Sequence, residues 1–315
     1  MNEGRQTICS KIYILLLKTL YSLNTYYIVV KMRSENPEEV KEYLKAFKRW
    51  LEKGCYPDIA ESYKSVPNYT PQPCTQEGIQ ELIVAMEDIG NRNYVELIDR
   101  IAGIYISYLV NGSPEKEIVL EISSPINYLG LYNAKKDWII IGNVGNYVGR
   151  FMEGGKITVD GDAELLVGCS MVGGNIEIKG NAESFVGENM IGGEIKIRGK
   201  AGYGVGKGMI GGKITVDGDA ENGVGERMRG GRIKVGNAGD GVGEEMEGGT
   251  IIVNGKVKKW TGNGMRCGKI YIADLDPHNL SKKIYGGNIY RGLPEEMGGK
   301  PELVVKDGEV LIKTF

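Results

Sequence analysis

From Trp138 onward, apolar and polar residues alternate in short runs that return at a fixed interval. Ile157-Thr158-Val159, Ile176-Glu177-Ile178, Ile195-Lys196-Ile197, Ile214-Thr215-Val216, Ile233-Lys234-Val235, Ile251-Ile252-Val253 and Ile270-Tyr271-Ile272 recur in this way. Their two-residue period is that of a strand with one face buried. Trp138 and Ile140 open the series and Ile289 comes near its end. A glycine pair precedes most of these strands, as at Gly154-Gly155, Gly192-Gly193 and Gly230-Gly231, and the interval is 19 residues except for one step of 18, after Val235. So short a period predicts one turn of backbone stacked on the next, a parallel β-helix of about eight coils.

Three more apolar columns run down the repeats. One holds Met152, Met171, Met190, Met209, Met228, Met246 and Met265; a second runs from Val148 to Val242 and then Thr261; a third is Val144, Ala163, Ala182, Ala201, Ala220, Ala238 and Val257. With the strands they predict a narrow dry interior, in which methionine fills irregular space. A methionine column also suits a soft metal, but one sulfur per coil in apolar surroundings reads as packing. A polar column, Asn143, Asp162, Asn181, Lys200, Asp219, Asn237 and Lys256, never places like charges in adjacent coils. Stacked amides and opposite charges bridge where like charges repel, so these carboxylates are read as stacking devices and not as acid–base catalysts.

The front of the chain follows a helical pattern. Asn36-Pro37-Glu38-Glu39 resembles a capped helix start, with Val40, Tyr43, Leu44, Phe47 and Leu51 on one face and Gly54 at the end. Pro57, Pro67, Pro71 and Pro73 mark an extended connector over 56–74; a second helix is expected from Thr75 to Met86 and a third from Tyr94 to Tyr108. The expected organisation is an apolar extension over 1–31, a small helical capping or docking domain over 32–124, and the β-helix over 125–315. Within the extension, Lys11 and Lys18 interrupt the apolar stretch 8–30. They disfavour a spanning helix but leave membrane contact open.

A net charge of -2 argues against nucleic acid as a partner. The 48 glycines lack the Gly-X-Y period of collagen. Five scattered cysteines, none in a CxxC pair, signal neither zinc nor an iron–sulfur cluster and fit a reducing, cytoplasmic setting. The glycines recur with no room for the long helix of a dinucleotide site. His278 is the only histidine, and neither Ser170 nor Ser184 sits in a Gly-x-Ser-x-Gly elbow. No catalytic, cofactor-binding or metal residue is assigned; His278 and Cys169 remain the two groups to be placed.

The unit Val-Gly-x-x-Met-x-Gly-Gly-x-Ile-x-Val, followed by Gly-[Asn/Asp]-Ala, resembles the GXGXG repeat domain that formylmethanofuran dehydrogenase carries in one of its subunits and glutamate synthase at the C-terminal end of its large subunit. The likeness covers roughly residues 138–272, and the methionine in each unit is closer to the former. It implies a right-handed β-helix that packs against catalytic subunits of an archaeal or bacterial redox complex, with any flavin, iron–sulfur, molybdenum or tungsten cofactor in those partners and none in this chain. The leading expectation is therefore a non-catalytic scaffold subunit of a multisubunit oxidoreductase, docking through a lateral face drawn from Phe151, Phe185, Tyr203 and Trp260. The alternatives are a stand-alone, esterase-like hydrolase and a β-helix module that binds a ligand.

Overall fold

A computed structural model describes residues 95–311 continuously, together with Lys45, Ala46, Ile79 and Ile83. The apolar extension, most of the first expected helix and the proline-rich connector lie outside the described residues. Ile79 and Ile83 are helical and buried, as the second helix requires. The third forms as α1 (Val95–Gly112). The chain divides into two compact units, Met1–Glu115 and Lys116–Phe315.

The second unit is a β-solenoid. Its strands are β1 (Glu117–Glu121), β2 (Asp137–Ile141), β3 (Lys156–Asp160), β4 (Asn175–Ile178), β5 (Glu194–Ile197), β6 (Lys213–Val216), β7 (Arg232–Val235), β8 (Thr250–Lys256), β9 (Lys269–Asp274) and β10 (Asn288–Arg291). They pair in parallel in sequence order, so each strand lies one coil above the last. At about 4.8 Å per strand the stack is about 43 Å long. The 18-residue step is confirmed: Ile233 pairs with Ile251, and Gly236 N–H donates to Gly218 O, leaving no counterpart to Asp217 in that coil. The stack also extends one strand ahead of the Trp138 strand that opens the series. β1 brings Ile118 and Leu120 beneath Trp138 and Ile140, and Asn133, fully buried, stands where later coils have methionine.

The interior is sealed: the strand, methionine, valine and alanine columns contain no residue more than 7% exposed. One turn cannot hide its own apolar side chains, but each coil covers those of the coil before it. The contacts explain the spacing of the glycines. A Cβ on Gly193 (φ +88°) would lie 2.7 Å from Met171 Cε and 2.6 Å from Gly174 O of the preceding coil. A Cβ on Gly187 (φ +68°) would overlap Ile214 Cδ1 of β6, one coil beyond the strand that follows it. Each methionine methyl and each isoleucine tip thus occupies a notch that only glycine leaves open.

The corners carry a repeated sequence of left-handed residues. Gly204, Gly206 and Gly208 have φ of +73°, +68° and +65°. In other coils the same places hold Tyr147, Gly149 and Phe151, or Phe185, Gly187 and Asn189, all again with positive φ. Two side-chain ladders tie the corners together. In the first, Asp162, Asn181 and Lys200 N–H donate to Asn143, Asp162 and Asn181 Oδ1 at 2.8, 2.6 and 2.9 Å; Asn237 and Lys256 continue on Asp219 and Asn237, both at 2.8 Å. This is the column expected to solve a stacking problem. The second runs through Asn127, Asn146, Ser184, Asn222 and Asp240, ending at Lys259 N–H, 2.8 Å from Asp240 Oδ1.

At the C-terminal end, β11 (Glu302–Lys306) and β12 (Glu309–Val310) turn antiparallel and close the stack. They cover the pairing edge of β10, which would otherwise recruit other chains. The intervening loop folds down the outer face of the sheet, where Glu296 meets Arg232 at 2.7 Å and Tyr271 stacks on Tyr290 with centroids 4.5 Å apart.

Candidate interaction surface

The position after each methionine points outward. In sequence order it holds Glu153, Val172, Ile191, Ile210, Arg229, Glu247 and Arg266, and Tyr285 continues the column after Ile284. Backbone bonds stack these residues: Val172, Ile191 and Ile210 N–H donate to Met152, Met171 and Met190 O, each at 2.8 Å. The column changes character halfway. Arg229, Glu247 and Arg266 form ion pairs at 3.3 and 3.8 Å, the expected arrangement for stacked solvated residues. Val172, Ile191 and Ile210 instead leave aliphatic side chains 49%, 50% and 48% exposed in three consecutive coils. Polar residues occupy the same site elsewhere in the stack, so the fold does not require aliphatics there. Around them lie the exposed Asn189 and the Lys213–Glu194 pair at 2.7 Å. An apolar centre with a polar rim is the anatomy of a protein interface. The sequence signal was present as three hydrophobic residues where sister units carry charge.

The aromatic residues expected to form a lateral face are only partly brought together. Phe185 and Tyr203 pack edge to face at 5.4 Å, with Lys207 Nζ 5.8 and 5.7 Å from the two ring centroids. Tyr203 Oη donates to Glu226 at 2.5 Å, and Lys207 pairs with the same carboxylate at 3.0 Å. The bond to Glu226 pushes the Tyr203 phenol up to about 12. Burial works against ionisation of Glu226, yet the bonds from Tyr203 and Lys207 outweigh it and hold that carboxyl below its ordinary range. Phe151 stacks on Tyr132 at another corner, with Arg150 over its ring. Trp260 shares the corner column of Phe185 but stands four coils further on.

Neither candidate nucleophile system assembles. His278 lies in the 3-10 helix Pro277–Asn279, its Nδ1 2.9 Å from Asp276 Oδ1, on an exposed loop after β9. Cys169 precedes β4, six coils away, which is about 29 Å at the strand spacing. Burial raises the Cys169 thiol above its ordinary range, which disfavours the reactive thiolate. Burial also raises the Glu164 carboxyl, with Glu183 in the next coil adding to it and the bond from Asn146 opposing. Among the described residues, no three His, Cys, Asp or Glu side chains converge on a metal position, and no helix is long and apolar enough to cross a membrane.

No curated protein matches the chain. A solved chain from the formyltransferase/hydrolase complex of Methylorubrum extorquens, determined with methylofuran, is 28% identical over 51% of this chain and 62% of that one, with a TM-score of 0.42. This chain therefore covers less than two thirds of that relative's length. The family model described as the GXGXG motif matches residues 79–289, well over half of the sequence. The match includes the turn Gly204-Val205-Gly206-Lys207-Gly208, whose three glycines are the left-handed corner positions repeated in the coils from Tyr128 to Gly264. By its repeat, its corner geometry and the extent of the match, the chain belongs to the GXGXG motif family.

Proposed function

We propose that the chain is a non-catalytic scaffold subunit of a cytoplasmic, multisubunit oxidoreductase of the formylmethanofuran dehydrogenase or glutamate synthase kind. The observation that carries this reading is the exposed aliphatic ladder Val172–Ile191–Ile210 on a solenoid whose own interior is already filled. Exposed apolar area set in a polar rim costs solubility unless a partner covers it. The GXGXG repeat supports the redox setting through its resemblance to those complexes. On this reading flavin, iron–sulfur, molybdenum or tungsten chemistry belongs to the partner chains, and this subunit spaces or orients them.

Purification of the tagged chain from its native cells tests the proposal. The expected result is stoichiometric recovery of larger chains carrying redox cofactors, and no cofactor or turnover in the chain alone. Ile191→Glu places a charge at the centre of the ladder. It should abolish recovery of those chains and leave the thermal midpoint of the isolated subunit unchanged within about 2 °C. A chain that runs as a monomer in fresh lysate, or recovery indifferent to Ile191→Glu, overturns it.

A further inference from the structure

A cleft of about 460 Å³ opens between the last two coils, lined by Lys259, Trp260 and Asn263 from one and by His278, Leu280, Ser281, Lys282 and Lys283 from the next. The coils are joined there by backbone bonds, Thr261 N–H to Asn279 O at 3.0 Å and Ser281 N–H to Thr261 O at 2.9 Å. Its floor is a fixed polar network: Ser281 Oγ donates to Asn263 Oδ1 and accepts from Lys283 N–H, each at 3.0 Å. Asn263 Nδ2 donates in turn to Glu244 at 2.8 Å.

The charges are lopsided. Asp276 is engaged by His278, Glu244 by Asn263, and Asp240 by the backbone of Lys259. Lys259, Lys282 and Lys283 are exposed, and among the described residues none of the three has an ion-pair partner. Beside them the Trp260 indole is 59% exposed, presented by a left-handed backbone (φ +62°) at a corner that three preceding coils fill with glycine. Earlier coils place Tyr128, Tyr147, Leu166 and Phe185 at the same corner, but all four are buried or half-buried, and Trp260 alone of the column's large side chains stands exposed.

We infer that this cleft binds a small molecule combining a planar aromatic ring with two or more negative charges, the ring against Trp260 and the anionic groups among Lys259, Lys282 and Lys283. Its volume suits a ligand of nucleotide size. Lysine ammoniums serve phosphate or carboxylate as point charges, and an exposed indole face stacks on a ring. The inference is independent of the scaffold role, since the cleft and the aliphatic ladder lie on different columns.

Calorimetric titration of the full chain with magnesium-free ATP, adenosine and tripolyphosphate tests it. Saturable ATP binding is expected, with adenosine and tripolyphosphate each weaker by roughly tenfold or more. Trp260→Ala should reduce ATP to the affinity of tripolyphosphate without changing the latter. Lys282→Gln with Lys283→Gln should weaken both phosphate ligands by roughly tenfold, with an unchanged thermal midpoint showing that the fold is intact. Absence of saturable ATP binding, or binding that ignores both sets of substitutions, overturns the inference. Equal affinity for ATP and tripolyphosphate removes the ring from it and overturns that part.

Discussion

Thr261 stands in the valine column, fully buried, with no hydrogen-bond partner for its hydroxyl. Valine has the same shape without the polar atom, and six of the preceding coils use it there. Thr261→Val should therefore raise the unfolding free energy by about 1–2 kcal/mol, read from the urea midpoint. A fall instead would mean that the hydroxyl is satisfied. Asp219 makes a different kind of contribution. The N–H of Asn237 donates to its carboxylate, and this bond holds the carboxyl below its ordinary range, with the Asn237 side chain and Lys200 assisting. A carboxyl depressed in the folded state adds stability above the unfolded-state value of about 4 and loses it as pH falls through the folded-state value. Asp219→Asn keeps the acceptor oxygen, as Asn181 does in the same column, but removes the titration. The variant should match the parent in thermal midpoint at neutral pH and decline less steeply below pH of about 4.

At the scale of the coil, the methionine methyl and the second glycine of the next pair form a single packing device. Gly231 has φ +86°, and a Cβ there would lie 2.7 Å from Met209 Cε and 2.8 Å from Gly212 O. Met209→Ala removes only the first obstacle and leaves a cavity, costing about 2–5 kcal/mol. Combining it with Gly231→Ala should not recover stability, because the carbonyl and the left-handed backbone remain; recovery in the double variant, measured by urea unfolding, would show that the methyl alone demands glycine. These devices recur at the same offset in every unit, which is why strands, glycine pairs and interior columns could be read from the sequence. β1 could not. It lacks a preceding glycine pair, Asn133 replaces methionine, and Glu117 pairs with Asp137 twenty residues on, so the coil falls out of phase with the rest. The site was less legible for a related reason. Periodicity reports what stacking needs, whereas Val172, Ile191, Ile210 and Trp260 stand out only as departures from what stacking needs. Aromatic residues were singled out for a shared face by type, but Phe151 and Phe185 occupy different corners, and only Phe185 and Tyr203 meet.

The solenoid as a whole is governed by phase, so removing nineteen residues should harm it less than removing one. Excision of residues 182–200 joins Asn181 to Ala201 and takes out one coil with its strand β5. Every downstream column then returns to its own place: Ile214 above Ile176, Met209 above Met171, Ala201 above Val144 and Ala163. The outer contacts also close. Lys179 comes to face Asp217, replacing the Arg198–Asp217 pair at 3.4 Å, and Asn181 Oδ1 becomes available to the N–H of Asp219, for which Lys200 has no acceptor. Stability in such arrays is close to a sum over coils and their interfaces, so the shortened chain should remain soluble and unfold in one cooperative transition at a modestly lower temperature. Deleting Lys196 alone sets Ile195 beside Ile197 within a strand whose faces alternate residue by residue. One of the two must then turn out to solvent, or the strand must slip and invert its faces. That variant should lose most of its soluble yield, although it lacks only one half-buried, outward-facing side chain. Circular dichroism melts of the two deletions compare them directly. A nineteen-residue deletion less stable than the Lys196 deletion would mean that individual coils are not interchangeable, and that the stack is held by contacts specific to β5.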